Sequence, residues 1–201
     1  MSSGPRRGPH RMTDFPDLGP AAERVAGIAA AIPDERLDAP TPCTDVAVGA
    51  LLGHVLSLAD AFRGAAAKEP DPGPPPAVPP ALPDDWRTAL PARLSALAAA
   101  WREPGAFDGG TAVGGLSMPA PAAAAVAMDE LVLHGWDLAR SVGLDYAPDP
   151  AEVEVCLGFV GATAQPEGVP GLFGPTVPVA ADAPAFDRLL GLSGRDPHWA
   201  P

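Results

Sequence analysis

Apolar residues recur at intervals of three and four along several segments of this chain, which is the spacing of one buried helix face. Val25, Ile28 and Ile32 follow that spacing in the first segment. The pattern predicts four long helices, at residues 17–32, 45–67, 86–101 and 119–142, then a weaker fifth helix at 151–164 and a short helical stretch at 185–192. The chain is therefore predicted to be all-α.

Capping and breaking residues refine the ends of these helices. Thr44 is a candidate cap for the second helix, and Asp84 or Asp85 for the third. Pro91 lies within the first two turns of the third helix, where it is expected to delay or kink the start. Gly143 is the natural stop of the fourth helix.

The segments between the helices are rich in proline and glycine. Residues 69–85 predict an extended surface loop, and residues 105–121 predict a Gly-rich loop with room for a short hairpin. Four long amphipathic helices favour an antiparallel four-helix bundle with a Pro/Gly-rich C-terminal extension. We interpret residues 1–14 as a disordered tail and 15–201 as a single domain.

Composition narrows the classes of partner and compartment. The 13 Lys and Arg against 25 Asp and Glu leave a net charge of −12, which opposes binding to nucleic acid or to an anionic membrane. No segment predicts a signal peptide or a membrane span. Two cysteines are too few for a disulfide framework and fit a reducing cytoplasm.

Three residues of the fourth helix carry candidate chemistry. With Glu130 at zero on a helical wheel, His134 falls near 40° and Asp137 near −20°, so all three share one stripe. His54 lies in the middle of the second helix. If these two helices pack together, His54, Glu130 and His134 make a metal site of two imidazoles and one carboxylate with an open position.

Each residue also has a simpler explanation. His54 alone fits a hydrogen-bonded core histidine, and Glu130 with His134 fits an ordinary helix pair. Only the three together favour a metal. Asp137 is a fourth ligand, an acceptor for the ring N–H of a ligating histidine, or a surface carboxylate near a helix end; the second role is favoured.

The evidence for a functional role is weaker for the remaining reactive and aromatic side chains. Cys43 precedes the second helix, where a lowered pKa would suit a nucleophile, but a structural role is favoured. His10 and His198 lie in tails and are expected to be solvated; the alternative is that His198 and Trp199 fold over a pocket mouth. Trp136 points away from the ligand stripe and fits core packing.

Three stretches resemble one known family. TPCTDVAVGALLGHVL, MDELVLHGWDLARSVG and the closing FGPTVPV with GRDPHW are similar to the DinB-like metal-binding helical bundles, in the actinobacterial branch related to the N-terminal domain of mycothiol-dependent maleylpyruvate isomerase. The resemblance implies a divalent metal, usually zinc, held by His54, Glu130 and His134. Val46 stands where family members commonly carry Trp. The isomerases have a further C-terminal domain, so we do not expect that same activity here.

The resulting hypothesis is a metal-dependent transferase or isomerase that uses a low-molecular-weight thiol of the mycothiol type on a small electrophilic substrate. The alternative is a non-catalytic bundle that binds a metal or a ligand, as in a stress response. A metal hydrolase is disfavoured because the H-E-x-x-H order is missing. A homodimer is left open.

Overall fold

The computed structural model describes residues 15–74 and 81–201, which hold six α-helices and a small two-stranded sheet. The helices and strands are, in chain order, α1 (Gly19–Ala31), α2 (Val48–Ala66), α3 (Trp86–Arg102), β1 (Gly110–Val113), β2 (Leu116–Pro119), α4 (Ala120–Ser141), α5 (Pro150–Thr163) and α6 (Ala185–Leu192). The protein is mostly helical. The predicted tail at 1–14, with His10, lies outside the described residues, as does part of the proline-rich connector.

Apolar helix faces meet in one core. α1 and α2 each pack against both α3 and α4, while α5 packs on α4 and α6 on α5. Val25, Leu52, Leu90 and Leu138, one from each of the four long helices, are each fully buried in this core. The extension after α4 therefore adds two further helices to the four long ones.

The start of α2 differs from the prediction. The helix begins at Val48 rather than near residue 45, and Thr44 does not cap it. Thr41 instead closes a loop, since its Oγ1 donates to the carbonyl oxygens of Cys43 at 3.1 Å and Val46 at 2.8 Å. Asp45 in that loop has a φ of 63°, which a right-handed helix does not accommodate.

The third helix starts where its pattern predicts. α3 begins at Trp86 and runs through Pro91, so the proline does not delay it. Asp85 occupies the capping position, but its side chain accepts no capping bond. Its backbone oxygen instead accepts hydrogen bonds from the backbone N–H groups of Thr88 and Ala89.

The fourth helix carries the candidate ligands and ends as predicted. Gly143 has a φ of 73°, a conformation that glycine adopts without strain. The N–H of Gly143 donates to the oxygen of Arg140, and the N–H of Leu144 donates to that of Ala139. These two bonds form a Schellman motif, which satisfies the last carbonyls of α4.

The Gly-rich loop forms the short hairpin for which its sequence left room. β1 and β2 pair antiparallel with Thr111 opposite Met118. Thr111 Oγ1 also donates to the backbone oxygen of Ala65 at 2.7 Å, which ties the hairpin to the end of α2. Among the residues that the structure describes, no helix is long and apolar enough to cross a membrane.

Candidate metal centre

His54 on α2 faces Glu130 and His134 on α4, as expected if the two helices pack together. One ligand atom from each of these side chains lies within 4.8 Å of the other two. Glu130 Oε2 is 2.9 Å from His134 Nε2 and 3.7 Å from His54 Nε2. The two imidazoles meet edge to face, with their ring centres 5.0 Å apart. Two nitrogens and one carboxylate oxygen therefore converge on one small volume.

The three side chains differ in exposure. The His54 side chain is 46% exposed, whereas those of Glu130 and His134 are 19% and 10% exposed. A cavity of only about 10 Å³, roughly the space of one water molecule, lies beside Glu130 among α2, α3 and α4. The exposed side chain of His54 is the part of the cluster most open to a small molecule.

Small residues around the cluster fall into two groups. On α4, Ala123, Ala127 and Ser141 are buried, so their small size permits close helix contact. On α2, Ala50 and Ser57 are exposed on the same side of the helix as His54. Small side chains there leave the approach to His54 open.

Asp137 lies behind His134 and is fully buried. Its Oδ2 is 3.0 Å from His134 Nδ1, so that ring nitrogen carries the proton and donates it. This contact leaves Nε2 of His134 facing Glu130. Asp137 is not among the three residues whose ligand atoms converge, and its geometry is that of an acceptor for a ring N–H.

Opposing effects set the charges of this cluster. Burial acts to lower the pKa of His134, but its hydrogen bonds to Asp137 and Glu130 prevail and raise that pKa to about 9. Burial acts to raise the pKa of Glu130, yet its close contacts with His134 and, at a longer distance, His54 hold that pKa well below its usual range. In the metal-free protein, an imidazolium therefore lies between two carboxylates at neutral pH.

Arg195 is a member of the site that the sequence analysis missed. Its Nε donates to Asp137 Oδ1 at 2.9 Å and its Nη2 to Asp137 Oδ2 at 2.8 Å. The charge of Arg195 and the bond from His134 together outweigh burial, so the pKa of Asp137 is lowered. The GRDPHW stretch contributes only to a family resemblance, and nothing in its sequence indicates which distant side chain Arg195 contacts.

The buried carboxyl of Asp129 has a raised pKa, whereas that of Asp137 is lowered. Asp129 is 2% exposed and its Oδ1 has no hydrogen-bond partner among the described residues. Burial raises its pKa well above the usual range, and the neighbouring charge of Glu130 adds to the shift. Asp129 is not among the three residues whose ligand atoms converge.

Cys43 does not have the lowered pKa considered for it. α2 begins only at Val48, so the thiol does not lie at the helix N-terminus. Burial and the negative charge of Asp137 raise its pKa. Burial also raises the pKa of Cys156, and both cysteines are free. These environments agree with a structural role for Cys43.

The other aromatic and histidine residues lie apart from the ligand atoms. Trp136 is 4% exposed and belongs to the core, as predicted. His198 is exposed, as expected of a solvated residue. Trp199 packs against the core, and its backbone oxygen accepts hydrogen bonds from Arg140 at 2.6 and 3.2 Å.

Comparison with known proteins gives one match. A family model described as the mycothiol maleylpyruvate isomerase N-terminal domain matches residues 18–139. No curated protein and no solved structure matches the chain. The matched range contains His54, Glu130, His134 and Asp137, whereas Arg195 lies beyond it.

Proposed function

We propose that this chain, which belongs to the mycothiol maleylpyruvate isomerase N-terminal domain family of the DinB-like superfamily, is a metal-dependent enzyme that uses a low-molecular-weight thiol. In this proposal α1 to α4 form the four-helix bundle of that superfamily. His54, Glu130 and His134 hold a divalent cation, which we take to be zinc. The reaction is a transfer or isomerisation of a small electrophile, with mycothiol or a related thiol as cofactor.

The convergence of the three ligand atoms is the observation that carries the proposal. Ligands of a tetrahedral zinc ion at bond lengths near 2.0–2.1 Å are separated by about 3.3 Å. The observed separations from Glu130 Oε2, 2.9 Å to His134 and 3.7 Å to His54, lie on either side of that value. The two imidazoles and the carboxylate are also ligands that zinc prefers. The residues present therefore fit the ion in their chemistry and in the two separations from Glu130 Oε2.

Three ligands leave one position of a tetrahedral site open. A cation there supplies positive charge that favours the thiolate form of a bound thiol over the thiol. The exposed edge of His54 gives thiol and electrophile their access. Glu130 offsets part of the cation's charge, and Asp137 holds the proton on Nδ1 of His134, which keeps Nε2 free as the ligand atom.

An assay of both thiol and electrophile tests this function. Untagged protein loaded with zinc is mixed with a thiol and a panel of small electrophiles, and loss of free thiol and conversion of the electrophile are both followed against the uncatalysed rates. A transfer consumes the thiol and an isomerisation regenerates it, so we expect the native chain to accelerate at least the conversion of the electrophile, and His54→Ala to leave both rates at the uncatalysed level. His198→Ala is the matched control, since His198 is exposed outside the cluster, and it should behave like the native chain. Equal rates with and without the protein across the panel would contradict the proposal.

A non-catalytic metal-binding or ligand-binding bundle is the second candidate. It is favoured by the burial of His134 and of its partner Asp137, because a cation held by side chains that are fixed in the core would contribute directly to the free energy of folding. In that case zinc exchanges slowly and His54→Ala unfolds the protein instead of only silencing it. Melting temperatures of metal-free and zinc-loaded protein, measured beside the thiol assay, separate the two functions.

A further inference from the structure

The segment that follows α6 returns to α4 and binds it at two points. Arg195 makes a two-bond contact with the carboxylate of Asp137, and Arg140 donates two bonds to the backbone oxygen of Trp199. Arg195 is itself only 7% exposed. The side chain that holds Asp137 thus comes from a part of the chain that the family match at 18–139 does not include.

An unbroken series of hydrogen bonds leads from this segment to the cluster. Arg195 Nη2 and His134 Nδ1 both contact the same oxygen, Oδ2 of Asp137, at 2.8 and 3.0 Å. Nε2 of His134, on the opposite edge of the ring, contacts Glu130. Because the guanidinium fork is planar and binds both carboxylate oxygens, it fixes the plane of that carboxylate. The carboxylate in turn fixes the direction of the imidazole.

We propose that Arg195 is a positioning residue for the metal centre, acting through Asp137 to aim Nε2 of His134 at the cation. This inference rests on the proposed function, since it assumes that the cluster binds a metal ion. It assigns the C-terminal segment a role in the site in addition to its packing. If the contact between Arg195 and Asp137 only stabilised the fold, its loss would lower the stability of the protein without changing its affinity for zinc.

Zinc affinity, measured by competition with a chromophoric chelator, tests the proposal. Residues that orient a metal ligand typically change metal affinity by about 10–100-fold when replaced. We expect a loss in that range for Arg195→Lys, which keeps the charge but not the planar fork. Arg195→Met, which removes the charge as well, should lose at least as much.

A matched control separates positioning from stability. Arg24 also forms a two-bond contact with a buried carboxylate, that of Glu152, at 2.8 and 3.4 Å. Neither residue is part of the cluster. Arg24→Met should therefore lower the melting temperature and leave zinc affinity within about twofold of the native value.

A double substitution tests the route of the effect. If Arg195 acts through Asp137, adding Arg195→Met to Asp137→Asn should cause no further loss of zinc affinity. The double variant also removes both charges of the pair, so it leaves no unpaired buried ion and is expected to fold even where a single variant does not. Independent losses that multiply would overturn the proposed route.

A proton resonance gives a readout that needs no metal. In the metal-free native protein, the Nδ1–H of His134 should be protected from exchange with water, and its signal is identified by its disappearance in His134→Gln. The signal should persist in Arg24→Met and broaden by exchange in Arg195→Lys.

The outcomes keep the two proposals distinct. Native-like zinc affinity in the Arg195 variants, or an equal loss in Arg24→Met, overturns the positioning role while the metal-binding function stands. If the native chain binds no zinc, the proposed function fails and so does the part of the role that concerns the cation. The resonance then tests what remains, namely that Arg195 holds the imidazole of His134 in place through Asp137. Protection that is lost only in the Arg195 variants supports that contact, and protection in every variant overturns it.

Discussion

Replacing Asp137 with Asn should destabilise this protein strongly, because the change leaves the Arg195 cation buried without its counter-charge. The side chains of Asp137 and Arg195 are 0% and 8% exposed. Removing one partner of a buried ion pair typically costs about 3–5 kcal/mol. Asn keeps one acceptor oxygen for the guanidinium, so we expect a loss of about 3 kcal/mol in the free energy of unfolding. For a chain of this size, that corresponds to a melting temperature lower by about 6–12 °C.

Urea unfolding of metal-free protein, followed by circular dichroism at neutral pH, measures this loss. The midpoint should fall while the slope of the transition stays the same. Asp145→Asn is the matched control, since Asp145 is exposed, and it should change stability by less than about 0.5 kcal/mol. Adding Arg195→Met to Asp137→Asn should restore part of the loss by removing the unpaired cation. An Asp137→Asn midpoint that matches the control would refute this account of the pair.

Three further outcomes follow from the same geometry. His54→Ala should abolish retention of zinc in elemental analysis yet change metal-free stability by less than about 1 kcal/mol, because the side chain is 46% exposed; unfolding of the native chain itself on removal of zinc would indicate a structural metal. Gly135→Ala should lower stability by about 1–3 kcal/mol in thermal melts, because its Cβ would lie 2.7 Å from the hydroxyl oxygen of Tyr146. Gly158→Ala, where nothing lies within 4 Å of the added Cβ, should instead gain about 0.5–1 kcal/mol, and equal effects at both glycines would contradict this account. Free zinc at a hundredfold excess over its Kd should stabilise the native chain by about 2.7 kcal/mol, raising its melting temperature by roughly 5–10 °C, with no rise in His54→Ala.

The spacing of apolar residues was sufficient to predict the bounds of most of the helices. α1, α3, α4, α5 and α6 each begin and end within two residues of the prediction. A helix has a fixed period, so burial of one face leaves a periodic trace in the sequence that needs no tertiary information. The predicted start of α2, at residue 45, was wrong. Thr41 closes a loop there and Asp45 takes a positive φ, and neither feature changes the spacing of the apolar residues.

The helical period also explains which residues of the candidate metal centre could be predicted from the sequence. Glu130, His134 and Asp137 belong to one helix, so their spacing alone places them on one stripe. The packing of α2 on α4 determines that His54 meets them, and the return of the C-terminal segment determines that Arg195 meets Asp137, across a separation of 58 residues. Contacts between distant segments depend on how the helix faces bury one another, and the spacing of residues along the chain carries no record of that packing.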